Sequence, residues 1–288
     1  SGDYVVVAQS KKPQINVWQW GKPQLHMQCH VQEITTALAC DPTGTYLVGG
    51  TKSGRLYWWD ICSGELLASF QGHFKSVTVA QFTKCGLYLV SASLDGMVRM
   101  WDSIDIVSAS AAQAEGGRGG LNVTPSWSPH TLPITGLHLQ GSGSIGAAPL
   151  RVMTCSLDRT IVLFDVSADR QCLRRSLPEG GESITSNPLG DVVCVGGSSG
   201  SIYIVDMSAT ADALSSIHKK DSEAKHLAVG VDTLEGHSRR VGSLAFSADN
   251  CTMVSGSDDG SVRVWDTWTR QCVREFKPLS KCAITSVS

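Results

Sequence analysis

An apolar strand closing on a large residue recurs along this chain. Trp18, Trp59, Trp101, Phe164, Val205 and Trp265 each end such a strand, and Asp follows in every case but the first. Their successive spacings are 41, 42, 63, 41 and 60 residues. Three of the five fit a four-stranded unit of ~40–45 residues, and the other two carry roughly 20 residues more. A unit that short cannot hide its own apolar side. Copies must therefore stack and share their cores.

The clearest copy reads GHFKSVTVAQFTKCGLYLVSASLDGMVRMWD over residues 72–102, and the last full copy reads GHSRRVGSLAFSADNCTMVSGSDDGSVRVWD over 236–266. Each resolves into strand a (VTVAQF; VGSLAF), strand b (YLVSAS; MVSGS) and strand c (VRMWD; VRVWD), and CVREF supplies a fourth strand after the second copy. Apolar residues alternate with small or polar ones at period two. The Asp-Gly pairs at 95–96 and 259–260 mark tight turns between strands b and c.

This pattern is that of an all-β, WD-repeat β-propeller. In such propellers a buried His, Ser or Thr, Asp and Trp tie the loop entering a blade to its strands. By resemblance the set maps to His73, Ser91, Asp95 and Trp101, and to His237, Ser255, Asp259 and Trp265. A third set is His130, Thr154 and Asp158 with Phe164, which has no indole N–H to donate and leaves that network incomplete. The blades ending at Trp59 and Val205 lack the Asp, and Ser53 and Ser199 stand in its place. A repeated His/Ser/Asp set whose every member has a role in the fold is not a hydrolase triad.

The expected organisation is one propeller domain over 1–288, with strands c ending near 20, 60, 102, 165, 206 and 266. The chain opens on strand b (YVVVAQ), and AITSVS at 283–288 reads as strand a of another blade. Seven blades are expected in the intact protein, the seventh incomplete in this chain. Closure would remove unpaired sheet edges. Insertions at 103–125 and 208–230 separate strands c and d, and a third expansion, QGSGSIGAAPL, separates a from b at 140–150. All three are expected on one face as flexible loops, with a short helical turn at 104–112.

The net charge of −2 gives no global basic field, so a direct RNA contact would need a local patch. Basic pairs at Lys11–Lys12, Arg174–Arg175, Lys219–Lys220 and Arg239–Arg240 are scattered over different blades, and GGRGG occurs once, at 116–120. None of the ten cysteines forms a C-x-x-C pair, which disfavours zinc. Most lie in apolar runs and read as reduced, buried thiols of a cytosolic or nuclear protein. No signal peptide and no apolar run near 18 residues points to export or a membrane. No phosphate-binding glycine loop, H-E-x-x-H or G-x-S-x-G is present, so no cofactor is expected.

Four stretches carry a narrower resemblance: GDYVVVAQSKKPQINVWQW, HTLPITGLHLQGSGSIGAAPLRVMTCSLDRTIVLFDVS at 130–167, VVCVGGSSGSIYIVDM at 192–207, and SDDGSVRVWDTWTRQCVREF at 257–276. With the insertion placed before SWSPHTLPIT, they resemble the WD repeat-containing protein eighteen family. That resemblance implies a non-enzymatic scaffold, a subunit of the rixosome, acting in the nucleolus and nucleoplasm. It implies a role in pre-60S maturation and in removal of an internal transcribed spacer from pre-rRNA. The implied partners are an α-solenoid scaffold of the proline-, glutamate- and leucine-rich type, the other rixosome subunits, the AAA ATPase midasin and the pre-60S particle. Interface anchors are expected among aromatic and Arg residues, with Trp20, Trp127, Trp268, Arg239 and Arg240 as candidates.

Two other classes compete. A substrate receptor of a cullin-RING ligase, or a chromatin-binding adaptor, would use the same fold, but no W-D-x-R follows Trp59, Trp101 or Trp265. An enzyme would place polar groups on the innermost strands, where His138 is the one candidate among apolar, Ser and Thr residues.

Overall fold

A computed structural model describes residues 4–9, 12–114, 125–141, 149–207 and 231–277. The insertion at 208–230 and AITSVS at 283–288 lie outside the described residues, as do 115–124 and 142–148 of the other two expansions.

The strands form six antiparallel meanders. Blade 1 holds β1 (Tyr4–Ala8), β2 (Gln14–Gln19) and β3 (Leu25–His30). Blade 2 holds β4 (Thr35–Cys40), β5 (Tyr46–Thr51), β6 (Arg55–Asp60) and β7 (Leu66–Gln71). Blade 3 holds β8 (Val77–Phe82), β9 (Tyr88–Ser93), β10 (Val98–Asp102) and β11 (Ser126–Trp127). Blade 4 holds β12 (Ile134–Gln140), β13 (Arg151–Ser156), β14 (Thr160–Asp165) and β15 (Arg170–Ser176). Blade 5 holds β16 (Gly181–Ser186), β17 (Val192–Gly197), β18 (Ile202–Asp206) and β19 (Val231–Leu234). Blade 6 holds β20 (Val241–Phe246), β21 (Thr252–Ser257), β22 (Val262–Asp266) and β23 (Cys272–Phe276).

These blades pack as two compact units, residues 1–134 with 141–150, and residues 135–140 with 151–288. In the first unit, Ile15, Val17 and Cys29 of blade 1 meet Leu47, Tyr57 and Trp59 of blade 2. Trp58 and Leu56 of blade 2 then meet Val77, Phe82, Leu89 and Trp101 of blade 3. In the second unit, Met153 and Leu163 of blade 4 pack on Ile184, Val193 and Val205 of blade 5. Cys194 and Ile204 pack on Met253 and Trp265 of blade 6. Strands b and c are covered on both faces, which is why they read as nearly unbroken apolar or small runs such as YLVSAS and VVCVGG. Strands d lie outermost: β15 (RQCLRRS) and β23 (CVREF) are largely exposed and guard the sheet edge with charge.

Two irregularities recur. Strand a is bulged against strand b at Thr35/Ala37, Val77/Val79, Gly181/Ser183 and Val241/Ser243. Strand d is bulged against c at the position of the repeated large residue, at Val17/Trp18, Trp58/Trp59, Leu163/Phe164 and Val264/Trp265. Bulges re-aim side chains and add twist. Near the start of strand a, hydroxyls reach the next blade. Thr36 Oγ1 donates to the Val77 carbonyl at 2.6 Å, Thr135 Oγ1 to Gly181 at 2.5 Å, and Ser183 Oγ to Val241 at 2.9 Å.

The helical turn expected at 104–112 in the first insertion is a full helix, α1 (Ser103–Ala114), whereas the expectation for the cysteines needs correction. Asp102 starts it, accepting the Ile104 N–H at 2.8 Å as an N-cap. Elsewhere the same Asp closes a tight c–d turn: Asp60 accepts from Cys62, Asp165 from Ser167, and Asp266 from Trp268. Ile106 anchors α1 in the core between blades 2 and 3. The cysteines are less buried than their apolar flanks suggest. Cys29, Cys155 and Cys194 are buried, whereas Cys40, Cys62, Cys251 and Cys272 are exposed, on the outward side of an alternating strand or in a turn.

Candidate functional site

The loops entering each blade (d–a) and the turns joining strands b and c are held together by buried polar groups. In blade 3, His73 lies in the loop and is 1% exposed. Its Nε2 sits 2.7 Å from Ser91 Oγ on strand b, and its Nδ1 3.2 Å from Asp95 Oδ2 in the b–c turn. Trp101 Nε1 donates to the same Ser91 Oγ at 2.9 Å. An ionised carboxylate only accepts, so Nδ1 must carry the imidazole proton and Ser91 must donate to Nε2. Ser91 thus donates once and accepts once. Asp95 also receives the Phe74 N–H at 3.1 Å and the Met97 N–H at 2.9 Å. Gly96, at φ 80°, lets the turn close where a side chain would strike the His130 carbonyl.

Blade 6 repeats this geometry. His237 Nε2 lies 2.7 Å from Ser255 Oγ, Nδ1 lies 3.2 Å from Asp259 Oδ2, and Trp265 Nε1 donates to Ser255 at 2.8 Å. Burial is the largest influence on both rings and holds them below the ordinary histidine value, although the carboxylates pull the other way. Burial also pushes the Asp95 carboxyl up. The N–H groups of Met97 and Phe74, together with His73, outweigh it and leave the group below the usual carboxylate range. Neutral His and ionised Asp at neutral pH make a static clamp. Ser91 and Ser255 are fully buried, out of reach of a substrate.

Of the third predicted set, His130 falls in the first unit and Thr154 in the second. Each is buried. Asp158 holds its own turn, accepting the Thr160 N–H at 3.0 Å and its hydroxyl at 2.6 Å.

Blades 2 and 5 solve the same problem with reversed polarity, which the repeat pattern alone did not reveal. Four residues before strand a, where His73 and His237 stand, they carry Val31 and Leu177, both buried. The serine of strand b is replaced by Gly49 and Val195, and the Trp59 ring closes on Gly49. The carboxylate moves to the loop. Glu33 accepts the Ser53 N–H at 3.2 Å, and Glu179 accepts the Ser199 N–H at 3.0 Å. Glu179 also takes the hydroxyls of Ser198, Ser199 and Tyr203 at 2.8, 2.7 and 3.0 Å. Burial raises Glu179, and these donors overcome it and hold the group low. The sequence did carry the signal. Two residues before strand a, a basic residue (Lys75, Arg239) accompanies an Asp in the turn, and Glu accompanies a Ser.

Fixed in this way, the loops of the first unit present large apolar residues. Phe74 is 79% exposed with the Arg99 guanidinium 5.6 Å from its ring centre, and Ile34, Leu94 and Leu132 are exposed beside other loops. Of the anchors expected from sequence, Trp20 and Trp268 stand in c–d turns, 73% and 92% exposed. Trp127 is half-buried within β11, paired with Val98. Arg240 is committed internally, 2.9 Å from Asp258 and 3.4 Å from Glu182, while Arg239 is exposed. Phe74 was not among the expected anchors, since it follows the repeat's Gly-His pair and reads as part of that motif. Among the described residues no three His, Cys, Asp or Glu side chains gather as metal ligands, and no helix is long and apolar enough to cross a membrane.

The family profile described as WD domain, G-beta repeat, matches residues 21–60, 64–102 and 229–266. WD repeat-containing protein 18 of Rattus norvegicus is 32% identical over 290 residues, covering 99% of this chain and 63% of the relative. The protein of the same name from Danio rerio is 31% identical over 274 residues, 95% of this chain and 60% of the relative. The pre-rRNA-processing protein crb3/ipi3 of Schizosaccharomyces pombe is 28% identical over 310 residues, 99% of this chain and 69% of its own length. The chain therefore spans about 60% of the length of the first two relatives.

Proposed function

We propose that this chain, which is similar to WD repeat-containing protein 18 along nearly its whole length and carries three matches to the WD-domain profile, is a non-enzymatic interaction scaffold in large-subunit ribosome assembly. One observation carries the reading: the resemblance runs through all six blades, and pre-rRNA-processing proteins of two fungi share it. The geometry supports it. The His/Ser/Asp sets are buried clamps with no route for a substrate, and the loops they fix display exposed aromatic and aliphatic side chains. On this reading the protein works in the nucleus and nucleolus within a rixosome-type complex. It binds an α-solenoid scaffold of the proline-, glutamate- and leucine-rich type, and through the complex it meets midasin and the pre-60S particle. A ligase receptor is not favoured, because none of the relatives named above bears such a name.

The test is fractionation of cells carrying the tagged full-length protein. Co-sedimentation with pre-60S particles, and accumulation of spacer-containing pre-rRNA on depletion, is the expected result. Sedimentation away from all pre-ribosomal particles, with normal pre-rRNA on depletion, would overturn the assignment.

A further inference from the structure

In the first unit, the loops entering blades 2 and 3 and the b–c turns beside them form one continuous surface. The Lys52 N–H donates to the Ile34 carbonyl at 3.3 Å and joins the blade 2 turn to its own entry loop. The N–H groups of Gly72 and His73 donate to the Gly54 carbonyl at 3.1 and 2.9 Å and seat the blade 3 loop on that turn. The Leu94 N–H donates to the Ser76 carbonyl at 3.0 Å, and the Phe74 N–H to Asp95 at 3.1 Å, which adds the blade 3 turn. The backbone is thus set before anything binds, so little order remains to be gained on docking.

Ile34, Phe74 and Leu94 stand out from this surface, at 39%, 79% and 37% exposure, and Lys52 and Lys75 are exposed beside Ile34 and Phe74. The fold does not require them. Counted from the same strands, the second unit holds Gly180 in place of Ile34, Ser198 in place of Lys52, Ser238 in place of Phe74 and Asp258 in place of Leu94. Asp258 pairs with Arg240 at 2.9 Å, so that turn accepts a charge as readily as a leucine. Apolar side chains gathered in solvent where small or polar ones suffice mark an interaction surface.

Charge selects the occupant. Segments 31–36, 51–55, 71–76 and 93–99 carry four cations (Lys52, Arg55, Lys75 and Arg99) against two carboxylates (Glu33 and Asp95), in a chain whose net charge is −2. Both carboxylates are engaged: Glu33 with the Ser53 N–H, and Asp95 with His73 and the N–H groups of Phe74 and Met97. Arg99 is engaged as well, donating to the Gly72 carbonyl at 2.6 Å. Among the described residues neither Lys52 nor Lys75 has an ion pair.

We propose that this surface docks an acidic segment of a partner protein. Its apolar side chains lie on Ile34, Phe74 and Leu94, and its Asp or Glu carboxylates meet Lys52 and Lys75, which are open to solvent and within reach of a ligand. A basic segment would face two unpaired lysines of its own sign. RNA suits the surface less, because two of its three apolar side chains are aliphatic and offer no face for base stacking. This docking rests on the scaffold reading and gives the partner its chemistry. Peptide binding and co-sedimentation with pre-60S particles can fail independently of each other.

The test uses the intact chain with labelled Ile and Leu methyl groups and the capped peptide Asp-Leu-Glu-Phe-Asp as probe. Asn-Leu-Gln-Phe-Asn, Lys-Leu-Lys-Phe-Lys and octauridylate serve as controls. The acidic peptide is expected to shift the Ile34 and Leu94 methyls. The amide peptide should bind roughly fivefold more weakly, the loss of two exposed ion pairs, and the basic peptide more weakly still. Replacing both lysines with serine should erase the difference between the acidic and amide peptides. Phe74→Ser, which copies the residue that blade 6 carries at Ser238, should weaken both by at least about tenfold. The proposal is overturned if no peptide shifts these methyls, if the acidic and amide peptides bind alike, if octauridylate shifts the surface as strongly, if the lysine variant keeps the difference, or if Phe74→Ser leaves binding unchanged.

Discussion

Removing the Ser91 hydroxyl tests whether the buried clamp sustains the blade. Ser91→Ala takes away one atom that both accepts from Trp101 Nε1 at 2.9 Å and donates to His73 Nε2 at 2.7 Å. Both partners are nearly inaccessible, at 6% and 1% exposure, so water cannot replace the lost bonds. Each orphaned buried group costs about 1–3 kcal/mol, so the substitution should cost about 3–4 kcal/mol. For a chain of this size that corresponds to a fall in Tm of roughly 6–15 °C. Trp101→Phe removes the indole donor but leaves Ser91 bonded to His73. The double variant therefore orphans only the imidazole and should cost at least about 1 kcal/mol less than the two single losses together. Urea unfolding followed by far-UV circular dichroism measures all three variants. Ser255→Ala should match Ser91→Ala, because its distances of 2.7 and 2.8 Å are nearly the same. A cost for Ser91→Ala below about 1 kcal/mol, or strict additivity with Trp101→Phe, would refute the reasoning.

Three further outcomes follow from the same geometry. His73 and His237 lie below their ordinary value of 6.5 in the folded chain, so the unfolded chain binds more protons near that pH. Their contribution to stability is complete above 6.5 and is lost as pH falls from there through the lowered folded value, so urea midpoints should decline between pH 7.5 and 5. Replacing both rings with Gln should flatten that decline. Glu179→Gln should speed amide exchange at Ser199 and cost about 1–3 kcal/mol, whereas Glu33→Gln, where the Ser53 N–H donates at an exposed contact, should cost well under about 1 kcal/mol. Asp102→Ala removes the cap of α1 and should raise exchange at Ile104 and its neighbours, at a cost of about 1 kcal/mol with the β core unchanged.

Strand positions were legible in the sequence because the physics that sets them is local. Alternation, Asp-Gly turns and the closing Trp-Asp place β8–β10 and β20–β22 within a residue or two. The His/Ser/Asp/Trp sets were legible because each member repeats at fixed spacing. What escaped was whatever depends on a partner supplied by another loop. Glu33 reads as an ordinary surface residue until the Ser53 turn is brought against it. Ile106 reads as part of a polar insertion until Trp58 and Phe82 are placed beneath it. The helix itself was half-visible. Asp102 at the cap, Asp105 at the third helical position and the run of Ala and Ser that follows are start signals, but the same Asp also ends strand c in blades 2, 4, 5 and 6.

The distribution of charge says how such a scaffold must bind. Asp95, Asp259, Glu33 and Glu179 are spent on joining loops to turns, and Asp60, Asp102, Asp165 and Asp266 on closing the connection after strand c. Arg240, Arg263 and Arg270 are paired with Asp258, Glu275 and Asp232. Large apolar side chains also stand in solvent: Phe74, Leu189, Trp20 and Trp268. Anchors of that kind gain affinity by burying area in a partner's pockets, and their order is already fixed before binding. Complexes held through them should dissociate slowly and show little sensitivity to salt between about 50 and 300 mM, since exposed charges govern mainly encounter rates. A partner whose affinity for this chain collapsed over that range would have to be held by charges outside this set, and the exposed aromatic residues would then not be its anchors.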